Sequence, residues 1–423
     1  MPYFWGLSFV GNKRWSLLLT VGLALKLTLM TITPWGFDFT QTFKAVNYSL
    51  KGVGYHTAPW VWFLSLFYRL WLRLPLDHTG VAETLLRGEA PPLGLEGSFL
   101  VFLLKLPLLV FDLACGAVLS LYARKLGSMD WPRTLALWVL NPYVTLVVEM
   151  GGSMDVLPVT LMVLTFFLYT TSRFKRPTLG VASLFAGVGV KLYPVLISPI
   201  LLIFQNGWKR RGPVLIASTI GAGLYFYWVW RMGVDPLYSL LNYSPITFHV
   251  SEFMLTPYDS RIGLATMAAF IYGFLIHRYW GRSEGEVLPA LMGFLLVYFA
   301  FLNWWPSYLL VLIAFMTLHT HVSSESRRVY LGLILLAFLF ELSAFDFSYT
   351  KTLFFVPIYF KWMKTASGML QIWSSHVVVK LVLEPLLRSA FTAVSLYQAG
   401  RLLIQGSPRL LSLLRRLERG SLA

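Results

Sequence analysis

Long apolar runs recur along this chain, broken by short polar or basic stretches. Read as helices, they fall near residues 15–33, 99–122, 133–150, 156–172, 178–190, 193–206, 213–230, 262–280, 287–303, 306–320 and 328–345, with at least one more between 366 and 404. A run of roughly 17–25 apolar residues is long enough to cross a ~30 Å hydrocarbon core. A barrel would show short alternating segments instead. The pattern therefore predicts an all-α fold, a polytopic transmembrane bundle of about 11–13 helices. The pair at 178–190 and 193–206 is too short for two full crossings, at about 13 residues or ~20 Å each. Either both stop below the external surface or they form a broken re-entrant pair, since irregular backbone at that depth needs a protein or water-filled surround. Both versions put Lys191-Leu192-Tyr193-Pro194 at the bottom of a cavity open to the outside.

The breaks between the runs sort by charge. Lys13-Arg14, Arg124-Lys125, Arg173-Phe174-Lys175-Arg176, Lys209-Arg210-Arg211, Arg278, Arg327-Arg328 and Arg415-Arg416 form one set. The other set, at Gly151-Gly152, Lys191, Asn303-Trp304-Trp305 and Phe345-Asp346, has few basic residues. The sets alternate with each crossing, which puts the N-terminus in the cytoplasm of a multi-pass cell-membrane protein. Residues 34–98 then form a long first external loop. Within it, Tyr55 to Leu74 is rich in aromatics and carries two arginines, a composition that suits a helix lying in the interface plane, and Phe39–Lys51 reads as a second such helix. A second external loop covers about Arg231–Arg261. The first 345 residues read as one module, and residues 346–423 as a C-terminal membrane segment with a basic amphipathic tail.

Composition narrows the class. The chain has 423 residues, 57% hydrophobic and 13% charged; soluble domains carry about 25% charged residues. A net charge of +16 raises the question of nucleic acid, but the basic residues lie in short clusters between apolar runs and form no extended patch. Cys115 is the only cysteine, so an intrachain disulfide and a cysteine metal site are excluded. The first run, about Trp15 to Thr33, is too long for a signal-peptide core and lacks a small-residue cleavage site, so it reads as a retained helix.

Ionisable residues at membrane depth are costly and are functional candidates by default. Here they are Lys26, Lys105, Asp112, Glu149, Asp155, Lys191, Glu341, Glu384 and Arg388. Glu384 and Arg388 are four apart and pair with each other on a helix. Lys26 either snorkels or binds a buried carboxylate. Lys105 and Asp112 are seven apart and share a helix face turned to the bundle interior. On the external side, Asp38, Asp155 and Lys191 come from separate segments and end at one face, and His249, Glu252, Asp259 and Arg261 can reach it. Carboxylates beside cations at such a face suit a base that deprotonates an acceptor hydroxyl while cations hold a departing lipid phosphate. On this reading the catalytic residue is Asp38, the donor-phosphate contacts are Lys191, Arg261 and Lys105, and Asp155, Tyr193, His249 and His56 line the substrate cavity.

The chain resembles the C-superfamily (GT-C) polytopic membrane glycosyltransferases, especially mannosyltransferases that use polyprenyl-phosphate sugars. The likeness rests on Asp38 beyond the first run, Lys105-Leu106-Pro107 with Asp112, Asn141-Pro142 followed by Gly151-Gly152-Ser153-Met154-Asp155, Lys191-Leu192-Tyr193-Pro194, and Trp304-Trp305-Pro306. It covers roughly residues 15–320. The resemblance implies that Asp38 is the general base, that Lys191 contacts the donor phosphate, and that a hexose is transferred with inversion on the non-cytoplasmic face. The implied partners are a polyprenyl-phosphate sugar, a glycolipid or glycan acceptor, and membrane lipid. Some branches carry a paired-acid motif with a metal. Here Asp38 is followed by Phe39-Thr40, so no cofactor is indicated. A transporter or flippase of a lipid-linked or anionic solute is the leading alternative, because broken helices near the midplane mark transporters. A non-catalytic assembly subunit is the third.

Overall fold

In the computed structural model, every regular element among the described residues is helical. Those residues are 13–32, 58–76, 78, 80–81, 95–126, 131–170, 177–191, 193–204, 207–231, 271–276, 278, 280, 287–301, 306–320, 324–344 and 383–405. One helix among them, Glu96–Lys125, is long and apolar enough to cross a membrane; several shorter apolar helices accompany it. The interface segment Phe39–Lys51, the external loop through Arg261 and the basic tail lie outside the described residues, as do Asp38, His56, His249 and Arg261.

The chain folds as two compact units, Met1–Val163 with Phe338–Glu384, and Leu164–Ala337 with Pro385–Ala423. The first unit contains α1 (Lys13–Ile32), α2 (Ala58–Leu72), α3 (Leu95–Lys125), α4 (Trp131–Val139) and the start of α5 (Val156–Thr170). Small residues let its helices approach closely. A methyl on Gly22 would meet Val139 Cγ1 at 2.8 Å, and one on Gly116 would meet Trp138 Cδ1 at 2.8 Å. Polar ties add direction. Trp138 Nε1 donates to the Asp112 carbonyl at 3.0 Å, and Thr160 Oγ1 to the Phe111 carbonyl at 3.0 Å. The stretch expected as an interface helix is helical, as α2, whose Trp71 indole donates to the Glu96 carbonyl at 3.2 Å and is fully buried.

The second unit contains the rest of α5, then α6 (Pro177–Val190), α7 (Ser198–Phe204), α8 (Trp208–Arg231), α9 (Val287–Phe301), α10 (Pro306–His319), most of α11 (Ser324–Ala344), and α12 (Glu384–Gln405) from Pro385. The break between α6 and α7 is real: a 3₁₀ turn, Tyr193–Ile197, separates them. Gly221 brings α8 against α6, its missing Cβ leaving 3.1 Å to Val188 Cγ1, and Ser218 Oγ donates to Ser198 Oγ at 2.7 Å to join α8 to α7.

The expected helix over 133–150 is not one helix. It stops at Leu140, and Asn141 starts a new one: its Oδ1 accepts from the Tyr143 and Val144 amides at 3.0 and 3.5 Å, with Pro142 in the first helical position. Asn is a preferred N-cap and Pro is pre-set for N1. The restarted segment widens into a π-helix over Thr145–Met150, in which Gly151 N donates to the Leu146 carbonyl five residues back at 2.9 Å. Gly152, at φ +69°, then reverses the chain, and Ser153 N donates to the Val147 carbonyl at 3.1 Å. A Cβ on Gly151 would sit 2.7 Å from the Val147 carbonyl oxygen, a backbone atom that has nowhere to go. Gly151→Ala is therefore expected to cost about 1–3 kcal/mol, the usual range for overpacking, read as a lower thermal midpoint of the detergent-purified protein. An unchanged midpoint would mean that the π-helical exit relaxes freely.

Candidate functional site

Four buried charged residues of the first unit meet in one knot. α1 delivers Lys26, α3 delivers Lys105 and Asp112, and the π-helical segment delivers Glu149; all four are 1% exposed or less. Lys26 Nζ lies 3.0 Å from Asp112 Oδ2 and 2.8 Å from Glu149 Oε2. Of the two sequence readings of Lys26, binding a buried carboxylate is the one observed, and there are two carboxylates. The ion pairs explain how these side chains are tolerated without water, because a buried charge needs both a partner and hydrogen bonds.

Lys105 is used differently. Its Nζ donates to the backbone carbonyls of Glu149 and Met150, both at 2.8 Å. Those carbonyls end the π-helical segment, where the Gly-Gly reversal takes the following amides elsewhere, and a helix end has orphaned acceptors that something must satisfy. The ammonium assigned to a donor phosphate from sequence is here a cap supplied by a neighbouring helix. Pro107 lies in the same helix without breaking it; lacking an N–H, it cannot donate to the Leu103 carbonyl.

Asp155 is fully buried just ahead of α5. Ser153 Oγ donates to Asp155 Oδ2 at 3.3 Å and accepts from the Asp155 amide at 3.3 Å. The carboxylate thus closes the reversal that starts at Gly151. The knot and this reversal are continuous in the chain, so the Lys105–Asp112 segment and the Asn141–Asp155 segment are brought together around α1. Asp38 follows α1 in the sequence and lies outside the described residues.

In the second unit, Lys191 extends α6 by one residue, its amide donating to the Gly187 carbonyl at 3.0 Å. It is half-buried, and its Nζ stands 5.4 Å from the centre of the Tyr308 ring. Tyr308 is in the first turn of α10, two residues after Pro306 in the sequence; Trp304 and Trp305 lie outside the described residues. Tyr193 begins the 3₁₀ turn and Pro194 is buried in it. Among the described residues, no group of three or more His, Cys, Asp or Glu side chains is arranged to hold a metal.

Sequence reasoning did not foresee Ser153, Tyr308 or the capping role of Asn141. Asn-Pro followed by Gly-Gly was the available signal, because that order spells a helix restart and a left-handed exit. Lys26→Met would leave Asp112 and Glu149 buried without their counter-ion. A loss of about 3–5 kcal/mol is expected, with a coupling of about 0.5–3 kcal/mol to Glu149→Gln in a double-mutant cycle. Both are read from thermal midpoints, and strictly additive effects would contradict a shared ion pair. No family model, curated protein or solved structure matches this chain.

Proposed function

We propose that this chain is a polytopic membrane glycosyltransferase of GT-C type. It moves a hexose, with mannose favoured by the resemblance, from a polyprenyl-phosphate donor to a lipid-linked or glycan acceptor. Transfer occurs on the non-cytoplasmic face. Asp38 is the general base: it takes the proton of the acceptor hydroxyl as that oxygen attacks the anomeric carbon, and the bond to the donor phosphate breaks with inversion. A carboxylate near its ordinary pKa of ~3.9 is ionised at neutral pH and fit for this role. Lys191 and Arg261 hold the departing monophosphate, whose charge is modest enough to need no divalent ion.

The observation that carries the reading is the convergence on α1 of two segments on which the resemblance rests. Lys26 binds Asp112 and Glu149, and Lys105 caps the turn that leads to Asp155. This knot fixes α1, the helix that Asp38 follows in the chain. Charges buried among apolar helices also support a membrane interior, where ionisable groups face one another. The Lys191–Tyr308 contact supports a role at the donor, because it holds the ammonium beside an aromatic ring at the start of α10.

A second reading, transport of a lipid-linked or anionic solute, is favoured by one observation. One predicted membrane segment is interrupted at Asn141, and the short pair expected around Lys191 is joined by a 3₁₀ turn; interrupted helices bind solutes in transporters. One experiment separates the two. In membranes given a panel of radiolabelled polyprenyl-phosphate sugars, the wild type should transfer one sugar to an acceptor lipid or glycan. Asp38→Asn should lower transfer by at least about 100-fold, at the low end of the roughly 10²–10⁴ that a positioned general base contributes, with unchanged expression. Full transfer by Asp38→Asn would sink the assignment of the base. Movement of the donor across proteoliposomes without any transfer would favour the transporter.

A further inference from the structure

The outward face of α2 has no role in the transfer chemistry, and its composition is unusual. Around the helix, Leu64, Ser65, Tyr68 and Trp71 are buried and form the inner face. The remaining arc divides into two flanks. On one lie Leu66 and Leu70, 43% and 51% exposed, with the half-buried Phe63 and Phe67 beside them, their rings edge to face at 5.3 Å. On the other lie Arg69, in the last turn, and Arg73, in the turn that follows it; both are exposed. Arg73 follows the last helical residue, its amide donating to the Leu70 carbonyl at 3.1 Å, four residues on from Arg69.

Two further facts fix what this face meets. The helix sequence Ala58–Leu72 contains no acidic residue, and among the described residues neither arginine is ion-paired with a carboxylate. The face is also held in place. Trp71 is hydrogen-bonded to the Glu96 carbonyl, stacks on Tyr68 with ring centres 5.7 Å apart, and meets His78 at 4.3 Å. The indole hydrogen bond ties α2 to the first turn of α3.

We propose that the outward face of α2 is a docking surface for anionic phospholipid headgroups on the non-cytoplasmic leaflet. Leu66, Leu70 and the two phenylalanines enter the acyl region, and Arg69 and Arg73 grip lipid phosphate at the boundary. Apolar residues on one flank and basic residues on the other are the pattern of helices that lie in the interface. Arginine reaches upward from such a helix with its stem on the apolar surface and binds phosphate through paired N–H donors. The inference rests on the membrane reading of the chain but not on its transferase reading.

The test uses the full chain in proteoliposomes with an environment-sensitive fluorophore on Leu70→Cys; the native Cys115 is buried. A second labelled variant, Val110→Cys, reports from the exposed position midway along α3. Lipids brominated on the acyl chain serve as quenchers, either phosphatidylglycerol or phosphatidylcholine in otherwise equal vesicles. The label at 70 should be quenched, with an apparent affinity about 25-fold higher for the anionic lipid at low salt, at roughly fivefold per basic residue. Arg69→Gln with Arg73→Gln should bring that ratio near one, and Arg69→Lys with Arg73→Lys should retain most of it. Equal quenching of the unsubstituted helix by both lipids would overturn the proposal. So would quenching at 110 without quenching at 70. No quenching at either site would overturn the membrane reading itself, and none of these outcomes touches the Asp38 assignment.

Discussion

A lysine deep inside an apolar structure must find anions, and much of the first unit follows from how Lys26 does so. Its ammonium holds one carboxylate from α3 and one from the π-helical segment, so three separate stretches of chain must meet at one point. Such a knot adds little net stability over an apolar substitute, because desolvation offsets most of the attraction. It does make one arrangement far better than its neighbours. Sliding α1 by a turn would leave two carboxylates and an ammonium buried apart, which is the costly alternative.

The neighbouring backbone obeys the same accounting of polar groups. A π-helical segment that ends in a Gly-Gly reversal leaves carbonyls without amide partners, and in a buried site they are out of reach of bulk water. Lys105 fills that gap from α3. Glu149 is thus held twice, by its side chain to Lys26 and by its carbonyl to Lys105. The two lysines of the knot do unlike work, one neutralising carboxylates and the other capping a helix.

The helices were legible in the sequence because their apolar runs are long, and sustained hydrophobicity overrides weak local propensity. Their interruptions were less so. The stretch 133–150 is predominantly apolar, so nothing in its periodicity marks the restart at Asn141; only the cap chemistry of Asn-Pro does. The break after Val190 was readable, because Pro194 follows so closely on a short helix. Lys26 could be narrowed to two uses, and a fold was required to choose between them. The use of Lys105 was not legible at all, since the carbonyls it caps exist only because a π-helix replaces an α-helix. Asp38, on which the functional reading turns, lies outside the described residues, so its part rests on the sequence alone.

The cations of this chain differ in what surrounds them, and that difference separates structural from chemical roles more sharply than their positions in the sequence. Lys26 and Lys105 are enclosed, and the partners that hold them are fixed parts of the fold. Lys191 is half-buried at the edge of an aromatic ring, where a cation keeps its charge at modest cost. Arg69 and Arg73 stand on an exposed face beside leucines, with no carboxylate on their own helix. A phosphate can be received only where a cation retains accessible surface, so among the described residues the proposed phosphate contacts fall to the second and third kinds. The enclosed lysines serve the fold instead, by fixing α1 and α3 against the π-helical segment.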